Sequence, residues 1–327
     1  MIRKLLFFIL YYVGLPALMR RNMVKHKEIS VLLFHRISNN SDLLWPSMPV
    51  KSFEKLIKKI GHCGEIVSFS DLAKRKYFPK KPLFILSFDD GYVDFYENAM
   101  PILIALNIKA NHNICPGLID VSVPPWTQIL SLYLSFKTHE NKAFAMAMLI
   151  KDDELLSEKS FLALCKKLLQ INDKERDDLI LPLLAHIPKE KIYRLMSWDQ
   201  IRYCSENGIE IGSHGYMHRN LLQVWDTAIL ENEIKDSCKK IEKEIGKTPL
   251  VFAFANAMGN EESKNFVVKS GYQFTLILMD KLLKWRQLSV QENIEVPRIN
   301  ISRADWREEY IRALGFHSHL KQFFRIN

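Results

Sequence analysis

The sequence has few cysteines, and they lack the spacings that would tie them together. The five cysteines are odd in number and widely separated, and none forms a Cys-x-x-Cys pair. This pattern argues against a disulfide framework and against a zinc knuckle. Reduced cysteines that serve as small core side chains fit the spacing best, which favours a cytosolic location for the main domain.

A long apolar run is also missing. The N-terminal apolar segment, Leu5 to Met19, has fifteen residues and contains Gly14 and Pro16, whereas a membrane-spanning helix needs about 20. It lacks a clear small-x-small cleavage site, so a secretory signal is not favoured. Basic residues flank the segment, and two interpretations stay open. It is either a helix lying on an anionic membrane surface or an apolar helix docked on the protein itself.

Acidic residues are outnumbered by basic ones. The chain has 46 Lys and Arg against 37 Asp and Glu, a net charge of +9. Such an excess favours binding to an anionic membrane surface or an anionic glycan. The alternative is a basic surface that is only solvated. No Lys/Arg run is interleaved with aromatic residues in the way that single-strand nucleic-acid binders require. We therefore expect no nucleic-acid partner.

Short apolar segments alternate with helical patterns along much of the chain. This alternation predicts an α/β fold with a mainly parallel sheet. The alternation stops between about residues 127 and 196, a segment that is rich in leucine and lysine and has a helical period. We predict a helical insertion there. The predicted strands are 29–34, 66–69, 83–88, 110–114, 209–212, 250–254, 274–278 and 296–301.

Two pairs of polar residues follow predicted strands. Asp89 and Asp90 come after the strand that ends at Phe88, and His214 and His218 come after another. Ligand sites of α/β sheets usually lie at these carboxyl ends. Adjacent buried carboxylates repel each other and lose hydration, so they need a partner such as a cation. Two imidazoles four residues apart can converge on one ion, and the two pairs together predict a metal site.

These residues also carry a family resemblance. The segment 87–91 (SFDDG) resembles the first motif of the polysaccharide deacetylases, the NodB-like enzymes of carbohydrate esterase family 4, and the segment 213–218 (SHGYMH) resembles their second. Weaker matches extend the resemblance over about residues 29–315. It implies a distorted (β/α) barrel with the helical insertion, a divalent metal that is often zinc, and hydrolysis of acetyl groups on sugars.

The resemblance also implies roles for individual residues. Asp90, His214 and His218 would bind the metal, and Asp89 would be the general base. This division agrees with the chemistry, because a cation acidifies its bound water while a carboxylate outside its coordination sphere accepts the proton.

Further residues are assigned on weaker grounds. Asn256 would supply a backbone N–H to the tetrahedral oxyanion, and Arg298 would orient Asp89, bind substrate or pair with a structural carboxylate. His35, at the end of the first strand, and Tyr92 are predicted to contact the substrate. His112 is predicted to be structural.

The chain departs from the family pattern at three places. Gly215 stands where the second motif normally has Ser or Thr. The segment in the third motif's place, 252–259, lacks the usual Pro and has extra residues. The histidine of the fifth motif, the usual general acid, is not evident in 296–300, and His317 and His319 lie beyond it.

We therefore predict three segments. Residues 1–27 form an apolar and basic N-terminal helix that can anchor to a membrane surface, 28–316 form the deacetylase-like catalytic domain, and 317–327 form a basic tail. The predicted function is a metal-dependent hydrolase, zinc being the expected metal, that removes acetyl groups from an N-acetylated sugar of a polysaccharide, glycolipid or cell-envelope glycan. The alternatives are a carbohydrate-binding pseudoenzyme and a membrane-associated polysaccharide assembly factor. We expect a cytoplasmic location, peripheral to the inner face of the membrane.

Overall fold

The chain folds around a closed barrel of parallel strands, and the computed structural model describes residues 2–40, 44–135, 158–257, 259–289 and 293–318. The strands are β1 (Glu28–Phe34), β2 (Glu65–Ile66), β3 (Leu83–Phe88), β4 (Ala110–Ile114), β5 (Ile209–Ser213), β6 (Val251–Ala253), β7 (Phe274–Leu278), β8 (Leu283–Lys284) and β9 (Ile294–Asn300). Seven of them pair in parallel in the order β1, β3, β4, β5, β6, β7 and β9, and β9 returns to β1. The predicted (β/α) barrel fold is confirmed.

The inside of the barrel changes from apolar to polar along the strands. On β3, Leu83 and Ile85 belong to a buried apolar cluster. Ser87, which lies on the same face because strand side chains alternate, donates instead to Asn111 Oδ1 at 2.9 Å. Arg298 on β9 donates to the Ser87 hydroxyl at 3.3 Å. The buried polar groups therefore gather towards the carboxyl ends of the strands.

Helices cover the outside of the barrel. The Phe53 ring packs against the rings of Phe34 and Phe88, with centroids 5.5 Å and 6.0 Å apart. Both faces of β1 and β3 are buried, which explains their continuous apolar sequences. The helices are α1 (Ile2–Tyr12), α2 (Leu15–Lys25), α3 (Val50–Cys63), α4 (Phe69–Lys74), α5 (Met100–Ala105), α6 (Pro116–Val121), α7 (Trp126–Ser135), α8 (Glu158–Leu168), α9 (Asp173–Ile180), α10 (Trp198–Glu206), α11 (Thr227–Leu230), α12 (Ser237–Ile245), α13 (Glu261–Lys269) and α14 (Trp306–Ala313).

Local signals in the sequence predict most of these elements. A capping box begins α10, where Ser197 accepts from the Gln200 N–H and the Gln200 side chain accepts from the Ser197 N–H. The predicted strand over 66–69 is wrong beyond its first residue. β2 ends at Ile66, and the Ser68 side chain accepts from the Asp71 N–H and caps α4 instead.

The helical insertion forms an apolar cluster of its own. Helices α7, α8 and α9 bury Trp126, Leu130, Phe161 and Ile180 against one another. Residues 136–157 of the predicted insertion lie outside the described residues. Because Thr127, on α7, and residues of α8 line the main cavity, the insertion contributes directly to the site described below.

The N-terminal helices pack on the last helix of the barrel. The Phe7 ring is buried and meets the Phe316 ring at 5.5 Å, and the Tyr11 ring meets the Trp306 ring at 5.4 Å. Within the described part of the chain, no helix is long and apolar enough to cross a membrane. Of the predicted basic tail, residues 319–327 lie outside the described residues.

Candidate active site

Three buried side chains converge at the carboxyl ends of β3 and β5. Asp90 Oδ1 lies 3.4 Å from Nε2 of His214 and 3.4 Å from Nε2 of His218. One ligand atom from each residue lies within 4.8 Å of the others. Despite the two nearby imidazoles, Asp90 Oδ1 is buried and has no hydrogen-bond partner among the described residues. Two imidazole nitrogens and an unsatisfied carboxylate oxygen fit a divalent metal ion.

The backbone at this site adopts left-handed conformations. The φ angles of Asp90, Gly91 and His218 are +77°, +82° and +61°. Such angles are uncommon outside glycine and concentrate at functional sites. The Gly91 N–H donates to Nε2 of His112 at 3.2 Å, and burial lowers the pKa of His112 to about 4, so its ring is neutral and can accept. His112 therefore supports the turn that carries the two aspartates.

The orientation of His214 is fixed by a carbonyl group. Its Nδ1 lies 2.8 Å from the Ala253 carbonyl oxygen. Because that oxygen can only accept, Nδ1 carries a proton, and Nε2 is the nitrogen that faces Asp90 and is left to bind a metal. Metal-binding histidines commonly have such a second hydrogen bond, which fixes their tautomer.

A buried glutamate holds the loop between the two histidines. The Glu233 carboxylate accepts from the N–H groups of Tyr216 at 2.9 Å, Met217 at 3.1 Å and Arg219 at 3.5 Å. Gly215 has φ +81°, and a Cβ there would lie 2.6 Å from Glu233 Oε2. This contact accounts for Gly at a position where the family usually has Ser or Thr.

Our sequence analysis missed Glu233, although a signal was present. The residue lies between Leu230 and Ile234 on the apolar side of a helical pattern, and both of these neighbours are buried. A carboxylate on the buried side of an amphipathic helix needs hydrogen-bond donors inside the protein. That requirement marks Glu233 as a residue with a specific polar contact.

Asp89 lies beside the metal-binding set and is held by two donors. Arg298 Nη1 and Asn113 Nδ2 each donate to its Oδ1 at 2.7 Å. Burial raises the pKa of Asp89, but the Arg298 guanidinium and His214 outweigh that effect, so the pKa lies below its ordinary value. Asp89 is therefore ionised at neutral pH, while its Oδ2 lies 3.7 Å from His214 Nε2.

Asn113 is a second residue that our sequence analysis did not assign to the site. It lies two residues after Asn111 on β4, and both side chains are buried. Two amides at alternate positions of a buried strand share one face, where they need polar partners. In the structure these partners are Ser87 and Asp89.

The Asp and His residues open into a cavity of about 410 Å³. One wall is polar and includes Arg298, His35 and Asn256. The opposite wall is largely apolar and comes from the loop after β1 and from the insertion, and its members are Leu44, Trp45, Pro46, Leu162 and Leu169. A cavity of this size, with a few converging polar groups, has the character of a small-molecule site.

His35 and Asn256 both line this cavity. The His35 ring is half-buried and meets the Trp45 ring edge-on at 5.7 Å, and burial lowers its pKa. Asn256 has φ +58°, and its Nδ2 is buried without a partner in the described part of the chain. The side-chain amide of Asn256 is therefore a further donor beside the backbone N–H that the sequence suggested. Met258, in the same segment, lies outside the described residues.

The prediction that Tyr92 contacts the substrate does not agree with the structure. Tyr92 is only 1% exposed and does not line the cavity. It forms a β-bridge with Leu195, and its ring lies 5.8 Å from the Arg36 guanidinium. Tyr92 thus joins the Asp-Asp-Gly turn to the end of the insertion. His317, the described histidine of the tail, does not line the cavity either.

Comparisons with known proteins give one family. The model of the polysaccharide deacetylase family matches residues 167–275. This segment contains His214, His218 and Asn256, whereas Asp89 and Asp90 precede it. No curated protein matches the chain.

Solved structures share the fold. A deacetylase from Streptococcus pyogenes in complex with acetate has a TM-score of 0.60 and 15% identity, over 88% of this chain and 98% of that one. IcaB from Ammonifex degensii has a TM-score of 0.58 and 15% identity, over 88% and 97%. A de-N-acetylase from Aggregatibacter actinomycetemcomitans has a TM-score of 0.53 and 16% identity, over 85% and 95%.

The sequence match and the barrel agree with the motifs at 87–91 and 213–218. The predicted resemblance to the polysaccharide deacetylases, a family of hydrolases, is thereby confirmed in sequence over residues 167–275 and in fold over most of the chain.

Proposed function

We propose that the protein is a metal-dependent hydrolase that removes the acetyl group from an N-acetylated sugar of a polysaccharide or related glycan. The observation that supports this most directly is the geometry around Asp90. Its buried, unsatisfied Oδ1 faces two imidazoles, and the ionised Asp89 lies beside them. This arrangement combines a cation site with a separate base, as hydrolysis of an amide requires.

Asp90, His214 and His218 would hold the metal, and their donor set suits Zn²⁺. When bound, such an ion acidifies a water molecule and polarises the amide carbonyl. Asp89 would accept the proton of the attacking water. Its Oδ1 is occupied by two donors, which leaves Oδ2, on the His214 side, as the accepting atom.

Two other cavity residues have parts in this proposal. Asn256 would donate to the oxyanion through its backbone N–H or its unpaired Nδ2. Among the described histidines that line the cavity, His35 is the one outside the metal-binding set, so it is the candidate that protonates the leaving amine. It would replace the fifth-motif histidine that the sequence does not provide.

Acetate release from chito-oligosaccharides tests the function. The protein is stripped of metal, reloaded with Zn²⁺ and assayed, with its metal content measured in parallel. We expect release only from the loaded protein, and loss of release in Asp89→Asn. A folded, zinc-loaded protein that is inactive on a broad panel of acetylated glycans would contradict the proposal.

A carbohydrate-binding pseudoenzyme is the second candidate. The observation that favours it is the altered segment 252–259, which lacks the proline of the third motif. In that case the zinc-loaded protein would bind the same oligosaccharides without releasing acetate. Binding measured by calorimetry beside the acetate assay distinguishes the two functions.

A further inference from the structure

Helix α1, the turn after it and the start of α2 expose an unusual amount of apolar surface. Seven large apolar side chains in this region are between 46% and 70% exposed. They are Leu5, Leu6, Phe8, Ile9, Tyr12, Val13 and Leu18. Contiguous apolar patches on a soluble protein commonly mark a site of interaction.

This exposed face is not the result of a detached helix. The opposite face of α1 is fixed to α14 and the residues after it, because Tyr11 packs on Trp306 and Phe7 is buried against Phe316. Arg3 forms an ion pair with Glu308 at 2.6 Å. Helix α1 is therefore apolar on two faces, whereas a helix that only covers a core would expose a polar face.

The charged residues of the N-terminal segment that carries the patch all have one sign. Residues 1–27 contain six Lys and Arg and no Asp or Glu. Of these, Arg3, Lys4, Arg21, Lys25 and Lys27 are exposed. The Arg307 guanidinium lies over the Phe8 ring at 5.6 Å. Exposed apolar side chains surrounded by basic ones are typical of helices that lie in the interface of an anionic membrane.

Part of the patch lies beside the chain segment that leads from the cavity into α14, because the Arg307 guanidinium is near the rings of Phe8 and Tyr12. Ser302 lines the cavity, and α14 begins four residues later. Glu308 of α14 contacts Arg303, beside the cavity, at 3.3 Å, and Arg3 of α1 at 2.6 Å. One carboxylate therefore connects the edge of the cavity with α1.

We propose that the exposed face of α1 docks on an anionic lipid surface, with the helix parallel to the bilayer and the cavity near that surface. The eleven residues of α1 are too few to cross a bilayer. A lipid surface fits better than a protein partner because the patch has aliphatic side chains with positive charges around them, which match acyl chains below anionic headgroups. The docking itself does not depend on hydrolytic activity.

Vesicle flotation of the full chain tests this proposal. The probes are phosphatidylcholine vesicles with and without phosphatidylglycerol. We expect the protein to float with the anionic vesicles, and added salt to weaken this binding. The double variant Leu5→Ser/Ile9→Ser should lower the partition coefficient about tenfold or more, because two exposed aliphatic side chains no longer enter the interface.

The matched control is Tyr77→Ser/Ile104→Ser, which removes two exposed apolar side chains elsewhere. It should bind the anionic vesicles like the unaltered protein, and equal unfolding temperatures would show that both variants fold. Failure of the unaltered protein to bind anionic vesicles would overturn the proposal. So would self-association that is lost in Leu5→Ser/Ile9→Ser, because it would assign the patch to a second copy of the chain. Neither result depends on acetate release.

Discussion

Arg298 Nη1 lies 2.7 Å from Asp89 Oδ1, and both side chains are almost completely buried. The guanidinium keeps the pKa of Asp89 low in a position where burial would raise it. A base that must be ionised inside a protein depends on such a counter-charge.

Arg298→Met should therefore change the pH dependence of turnover as well as its size. Without the guanidinium, burial raises the pKa of Asp89, so the acidic limb of the pH–rate profile moves to higher pH. We expect turnover at neutral pH to fall by roughly 10²-fold or more while bound metal is retained. The control is Arg36→Met, which breaks a buried pair with Asp94 instead. Arg36→Met should destabilise the fold without moving the acidic limb. An unchanged pH–rate profile in Arg298→Met would contradict the assignment of Asp89 as the general base.

The two adjacent aspartates should respond differently to substitution. Asp90→Ala and His218→Ala remove proposed ligands, so both metal and activity should be lost. Asp89→Asn should retain the metal and lower turnover by roughly 10²- to 10⁴-fold, because only the proton acceptor is lost. Metal content by mass spectrometry and acetate release check the two effects separately. Loss of metal in Asp89→Asn would show that our division of roles is wrong.

Gly215→Ala should disturb the loop that carries His218. A side chain at φ +81° is strained, and its Cβ would also collide with Glu233. We expect a loss of roughly 1–3 kcal/mol in unfolding free energy, together with weaker metal binding. Gly246→Ala is a matched control, because Gly246 has φ +67° and nothing lies within 4 Å of the position that a Cβ would take there. It should show the backbone strain alone, and equal metal affinities in the two variants would contradict this account.

Stability should decrease as pH rises through the range in which Glu309 titrates. Burial raises the pKa of Glu309 to about 7, although the Arg312 guanidinium lowers it in part. The folded state therefore holds this proton more tightly than the unfolded chain does. The stabilisation of the folded state that comes from this proton is fully present below the ordinary pKa of a glutamate, about 4.3. It is lost as pH rises to about 7. Glu309→Gln should flatten this decrease between about pH 5 and 7.5, measured by urea unfolding, and an unaltered slope would contradict it.

The sequence predicted the elements of the barrel better than their contacts. Apolar strands with polar residues at their ends identified Asp89, Asp90, His214 and His218 because each signal lies within a few residues of chain. The strand over 66–69 failed because the capping ability of Ser68 outweighed a short apolar pattern.

The supporting contacts of the site could not be predicted in the same way. Glu233 and Asn113 form hydrogen bonds with residues that are 14 or more positions away in the sequence. No local sequence pattern predicts which donors or acceptors they contact. Tyr92 was misplaced for a similar reason. Its position next to Gly91 suggested that its side chain lines the cavity. The orientation of Tyr92 is instead set by backbone pairing with Leu195, more than 100 residues later.

The residues around the cavity come from two parts of the chain that differ in how well they tolerate changes of sequence. The proposed metal ligands and the proposed base follow β3 and β5 of the closed barrel, where a shift in one strand would disturb its neighbours on both sides. Leu162 and Leu169 come from the insertion, which buries its own apolar cluster and enters the chain as one contiguous stretch. Exchange of the part of this stretch that precedes Arg194 can therefore alter the fit for the proposed glycan without displacing the groups proposed for hydrolysis, so new specificities can evolve while the chemistry stays the same.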